Sequence, residues 1–321
     1  MKRKQLAPHI HANQPASERY VYLLLALLPI LMGAIFYYGI RVVILVLVSC
    51  GCFFASDFIC AKRMYPEHAF YVDYSSLVSG LLLALMVPVS TSVWAIAMAA
   101  LFGSLLVKQA FGGVGTNIFN PAMAARAFLQ VTCPAQMTAL ERPLTNLWSM
   151  SSLITGHPCG DTVVSPISAS NMAIFSGRLP GMVGLTSLVL LALGGAILIE
   201  RKLFRFEAPL TFFFTVAFGY VPFYWTQLQP DVFFLWLING GILFVGFFML
   251  NDCTTTPMDP RARVVFGGGT GILTLLFYRF GNNAYAMIFP TLMMNMLTPI
   301  FDFYLKPRAF SKKTWLREVE K

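Results

Sequence analysis

Charge is what this sequence has least of. Asp, Glu, Lys and Arg make up 12% of its 321 residues, about half the share of an ordinary soluble domain. That scarcity argues against a soluble enzyme. Cysteine is also sparse: there are six, and none has metal-ligand spacing. Cys50, Cys52 and Cys60 fall in or beside one apolar run, and Cys133, Cys159 and Cys253 are scattered. They read as small buried or loop thiols. Cys133 and Cys159 share one loop, which allows a disulfide without requiring it. No basic stripe is interleaved with aromatics, so the net charge of +9 does not indicate nucleic acid. A cleavable signal pattern is missing too. Residues 1–19 are polar, and the run at 21–40 is too long for a signal core.

Apolar length is what the sequence has in excess. Hydrophobic residues reach 57% and mean hydropathy is +0.68. About 20 mainly apolar residues cross a bilayer. Runs of that kind lie at 21–40, 179–199, 208–230, 232–251 and 280–301. The run 42–61 is interrupted only by Asp57. Residues 74–107 carry no charge and contain Pro88 near their middle. They read as two spans joined by a tight turn at 88–92. Two shorter candidates follow, 117–132 with Arg126 inside and 264–278 before Arg279. The expectation is an all-α, polytopic membrane protein of ten helices.

Charge asymmetry supports that threading. With the N-terminus in the cytoplasm, 18 basic residues, Lys108 among them, fall in cytoplasmic segments. Only Arg41, Arg142, Arg178 and Arg279 fall outside. Residues 1–19 and 309–321 become cytoplasmic tails around one transmembrane domain, 20–308. Loop 133–179 is extracytoplasmic and separates a first half, 20–132, from a second, 180–308. Five helices per half make the halves inverted, an arrangement that places sites where helices break. A faint echo agrees: Phe111-Gly112, Asn117 and Pro121 are matched by Phe280-Gly281, Asn282 and Pro290.

Two cytoplasmic-side segments break the apolar pattern. FGGVGTNIFNP, 111–121, has three glycines for tight turns, two amides (Asn117 and Asn120), and Pro121 suited to a first helical turn. Such a turn must pack on protein or line a cavity, and its backbone amides can face an anion or a flavin ring. NDCTTTPMDPRAR, 251–263, supplies Asp252 with Thr254 and Thr255, and lies on the same side. Asp57 is the acid placed deepest, and with Asp252 it is the candidate for an ion path. Arg126 needs a partner: a phosphate, an acid or carbonyls. Loop 133–179 is long for a plain connection and rich in hydroxyls.

These segments resemble a known family. FGGVGTNIFNPAMAARAF (111–128), LPGMVGLTS (179–187) with Gly194-Gly195, FFMLNDCTTTPMDPRARVVFGGGTG (247–271) and MMNMLTPIFDFYLKPR (293–308) are similar to the RnfD proteins of Rnf complexes. The Rnf complex is the ion-translocating ferredoxin:NAD oxidoreductase of bacteria and archaea. The segments are similar also to the NqrB proteins of the sodium-pumping NADH:quinone oxidoreductase, which have a longer N-terminal extension. The resemblance implies a place in the cytoplasmic membrane and a fold of ten helices in two inverted halves, like urea channels. It implies a component that is not catalytic alone, working with Rnf subunits A, B, C, E and G. It also implies an FMN joined by phosphoester to an extracytoplasmic hydroxyl, and a riboflavin nearer the cytoplasm. The family's attachment motif is Ser/Thr-x-Ala-Thr, often before Pro. Here the matching stretch is Gly160-Asp161-Thr162-Val163-Val164-Ser165-Pro166. Ser165 stands at the acceptor, Thr162 at the earlier hydroxyl, and Leu185 where the family has Glu. FMN is therefore expected on Ser165, on Thr162, or held without a bond, with Asn117, Asn120, Arg126, Thr254 and Thr255 as further flavin contacts. On the residues alone, a solute channel or transporter and a structural scaffold stay open.

Overall fold

The structure is a computed structural model that describes residues 16–64, 74–144, 180–185, 187–201, 203–223, 241–252, 254–281 and 283–305. Helices dominate it. Two long apolar helices open the chain, α1 (Ala16–Tyr38) and α2 (Ile40–Met64). Gly39 turns the corner between them at φ +70°, a conformation glycine takes freely. Next come α3 (Tyr74–Leu85), then α4 (Val93–Phe102), which runs on through a π-helical segment, Gly103–Lys108, and a 3-10 turn, Gln109–Phe111. α5 (Pro121–Thr132) follows, and the short α6 (Pro134–Thr138) stands at the start of the segment read as the loop 133–179. The second half holds α7 (Leu188–Glu200) and α8 (Glu207–Phe223). A further short helix, α9 (Ile242–Phe244), passes into a π segment, Val245–Met249, and α10 (Pro260–Phe280) and α11 (Asn283–Tyr304) end the half.

Four helical stretches are long and apolar enough to cross a membrane: Glu18–Tyr38, Ile40–Arg63, Val93–Phe111 and Tyr285–Tyr304. Their outward faces are apolar; Met32, Phe36, Leu47 and Phe303 are exposed. On a surface meeting lipid that is the favoured arrangement. The chain is a multi-pass membrane protein. In the first half, α2 packs on α4 and α4 on α5; in the second, α8 packs on α10 and α10 on α11. Between the halves α1 meets α7, and α5 meets α11.

The turn expected at 88–92 is present, but what precedes it is not a full span. At about 1.5 Å per residue, the 12 residues of α3 reach only about 18 Å, roughly half of a bilayer core with its headgroups. The chain then continues unwound and wholly buried through Met86–Ser92. A helix end inside protein exposes carbonyls that need donors, and three are supplied here. Gly184 N donates to Leu85 O at 2.7 Å and Val183 N to Val87 O at 3.0 Å. Arg126 Nε donates to Met86 O at 2.8 Å. The apolar stretch expected to be helical from 179 is instead irregular across 180–185, with a turn closed by Leu185 N on Met182 O at 3.0 Å, and its Val183 and Gly184 amides serve the end of α3. A Cβ on Gly184 would lie 2.7 Å from Leu85 Cβ, so only glycine fits that approach.

Candidate functional site at the broken helices

The glycine-rich segment before α5 and the threonine-rich segment before α10 meet at one end of the bundle. Gly112, Gly113 and Gly115 have φ of +106°, +94° and +90°, values L residues rarely adopt. This conformation brings Asn117 and Asn120 beside the other segment. Asn120 caps α5: its Oδ1 accepts from Ala122 N and Met123 N at 3.0 and 3.3 Å, as N-cap side chains do. Its Nδ2 donates to Asp252 Oδ2 at 3.1 Å. Asn117 Nδ2 reaches Phe119 O and Thr254 Oγ1, at 3.1 and 3.4 Å.

Asp252 is the hub. It accepts from Thr254 N at 3.2 Å, from Thr254 Oγ1 at 3.0 Å and from Thr255 Oγ1 at 3.1 Å. Hydroxyl and amide donors of this kind take the place of water around a carboxylate. Thr255 is buried, and its carbonyl accepts from Thr298 Oγ1 of α11 at 3.0 Å. Four of the residues expected at a site, Asn117, Asn120, Asp252 and Thr254, line one cavity of about 40 Å³. Its other walls include Val114, Phe248, Ser75, Ser79 and Lys108.

Lys108 corrects the charge count. Placed in a cytoplasmic loop on the sequence, it is 2% exposed and paired with Asp57 at 2.5 Å. The Asp57 carboxylate also accepts from Ser104 Oγ at 2.6 Å, from Gln109 Nε2 at 2.8 Å and from Ser76 Oγ. Lys108 Nζ donates in turn to Ser75 Oγ at 2.6 Å and Ser76 Oγ at 3.2 Å. Asp57 is thus the buried acid it was expected to be, and it is tied to a cation. Arg41, placed in an outside loop, is likewise fully buried. It makes a two-pronged pair with Glu141, Nη1 to Oε1 at 3.1 Å and Nη2 to Oε2 at 2.5 Å. Sequence reasoning missed both pairs. The available signal was a lone charge of each sign beside an apolar run, but 51 and 100 residues separate the partners.

Arg126 is separate from the cavity. It lies fully buried on α5 and donates to Met86 O and to Gln130 Oε1, the latter at 2.9 Å. Its partner is therefore a carbonyl, one of the three kinds expected, and it does not join Asn117 and Asn120. Ser165 and Thr162, expected to carry FMN, lie outside the described residues. Among the described residues, no group of three His, Cys, Asp or Glu could hold a metal.

A helical multi-pass membrane protein whose helix breaks gather a polar cavity at one end defines the class. The chain belongs to the NQR2, RnfD, RnfE family, whose model matches residues 4–311. It is 27% identical over 307 residues to the D component of the Na(+)-translocating ferredoxin:NAD(+) oxidoreductase complex of Acetobacterium woodii, covering 95% of this chain and 93% of that protein. It is 29% identical over 343 residues to the D component of the ion-translocating oxidoreductase complex of Stutzerimonas stutzeri, covering 94% and 96%. With the corresponding protein of Actinobacillus succinogenes it shares 27% over 341 residues, covering 94% and 96%.

Proposed function

We propose that this chain is the flavin-carrying membrane component of an ion-translocating ferredoxin:NAD oxidoreductase. It works beside Rnf subunits A, B, C, E and G and couples electron transfer to Na⁺ or H⁺ movement. Both termini face the cytoplasm, and loop 133–179 faces outward. The observation that carries the reading is the joining of the two broken-helix segments, through Asn120 and Asp252, around one polar cavity. Membership of the family and the roles of its relatives support it.

The donor set fits the polar edge of a riboflavin ring. Asn117 and Asn120 offer amides, Thr254 a hydroxyl, Asp252 an acceptor, and Val114 and Phe248 apolar flanks. A cavity of about 40 Å³ holds no more than a few waters. Admission of a ring therefore requires the glycine loop at 112–116, exposed along most of its length, to swing aside. FMN, tethered at Ser165 or Thr162 or held without a bond, supplies electron transfer when bound. This chain's part is to hold each flavin and exclude lipid.

The test is mass spectrometry of loop 133–179 from protein made alongside a flavin transferase, with in-gel flavin fluorescence. An added FMN mass, lost in Ser165→Ala or Thr162→Ala, supports the reading. Protein with no bound flavin of either kind, yet passing a polar solute when reconstituted alone, defeats it in favour of a channel.

A further inference from the structure

Three buried polar side chains on α5 and α11, two helices that pack together, keep atoms that no protein group among the described residues pairs. Arg126 Nη2 is one. On α11, Asn295 is 1% exposed with neither Oδ1 nor Nδ2 bonded, and Thr291 is 1% exposed with Oγ1 unbonded. Buried polar atoms are rarely left so, because each gives up its water without replacement. No carboxylate among the described residues touches the Arg126 guanidinium, although it sits in a membrane protein's interior.

The three lie within about 6 Å of one another in depth. Asn120 anchors α5 on Asp252, and Thr298 anchors α11 on the Thr255 carbonyl, so both helices rise from the same segment. At 1.5 Å per residue, Arg126 stands about 9 Å above Asn120. By the same rise, Asn295 stands about 4.5 Å above Thr298, and Thr291 about 10.5 Å. Arg126 therefore falls between the two α11 side chains, on helices that pack together. None of the three lines the cavity described above.

We propose that Arg126, Asn295 and Thr291 form an internal site for a small hydrogen-bond acceptor, either a monovalent inorganic anion or water. In that site the guanidinium, the Asn295 amide and the Thr291 hydroxyl would act as donors, and Asn295 Oδ1 would orient a guest that carries a proton. Polar groups facing one another inside a membrane bundle mark a working site more often than a packing accident. Through Arg126 Nε and the Met86 carbonyl, the guest is linked to the break after α3.

The experiment measures melting temperature of the full-length chain in detergent, in sodium chloride and in sodium gluconate. Variants are Asn295→Asp, Asn295→Leu and Asn295→Asp with Arg126→Gln. A carboxylate at 295 takes the acceptor's place beside the guanidinium. Asn295→Asp is expected to melt about 3 °C above the unaltered protein in gluconate, and the gain disappears when Arg126→Gln is added. Asn295→Leu melts lower than the unaltered protein. If the guest is an anion, chloride stabilises the unaltered protein over gluconate and leaves Asn295→Asp unmoved. If it is water, the two salts give the same values. An Asn295→Asp melting temperature at or below that of the unaltered protein, in both salts, overturns the proposal.

Discussion

Lys108 and Arg126 are two cations buried to the same degree on neighbouring helices, and the fold treats them oppositely. Lys108 has a carboxylate, four serine or glutamine groups tied into the same network, and a place on a cavity wall. Arg126 has a carbonyl and an amide oxygen. The difference follows from where each sits. Lys108 lies at the end of α4, where the chain leaves the apolar layer and polar neighbours are at hand. Arg126 lies beside a helix break, where the C-terminal carbonyls of α3 present partial negative charge. A guanidinium can serve a carbonyl and still offer donors elsewhere, which a lysine cannot do with fixed geometry.

The sharpest way to break this comparison is to remove one partner of the true ion pair. Lys108→Met leaves Asp57 buried without its cation and is expected to destabilise by about 3–5 kcal/mol. Adding Asp57→Asn should recover most of that, read as denaturation midpoints in detergent. Recovery by less than half would mean that the serines, rather than the pair, organise the region. Arg126→Lys comes next. It keeps the charge but loses the fork, at an expected cost of about 1.5–3 kcal/mol. If Arg126 mattered only as a charge, this variant would melt with the unaltered protein. Asn120→Ala removes the α5 cap and the bond to Asp252, costing about 1–2 kcal/mol. It should also lower riboflavin retained on purification; unchanged retention would separate the cap from the cavity. The smallest effect is expected from salt. Between about 0.05 and 1 M NaCl, the half-exposed Glu207–Arg263 pair should lose its contribution of under about 1 kcal/mol. A coupling cycle across Asp57 and Lys108 should hardly change over that range.

Long uniform runs were legible in the sequence: α1, α2 and α11 lie within a few residues of the apolar stretches. Hydropathy sees length, and these helices span in one piece. It cannot see that α3 stops at Leu85, because Met86, Val87 and Val89 are as apolar as the helix they end. The stop depends on amides from Val183 and Gly184, about 100 residues away. The meeting of 111–121 with 251–263 was readable as two irregular segments on one side of the membrane. Which atoms meet was not, since Asn120 to Asp252 is a tertiary contact 132 residues apart. Arg41 and Lys108 were misplaced for one reason: a charge rule assigns a terminal cation to water unless its partner is known.

The π-helical segment Gly103–Lys108 has a consequence for how α4 tolerates change in length. A π turn holds one residue more than an α turn, so the segment acts as a phase shifter. Before it, Ala95, Ile96, Ala99 and Ala100 set the buried face of α4. After it, Lys108 is aimed at Asp57. Relaxing the widened turn to α geometry with all its residues kept would rotate Lys108 by about 100° relative to the face before it, whereas removing one residue as the turn relaxes would keep that phase. Residues 93–102 are thus counted as well as chosen, and a one-residue deletion there, which turns their buried face by about 100° against Lys108, should be harder to accommodate than one within 103–108.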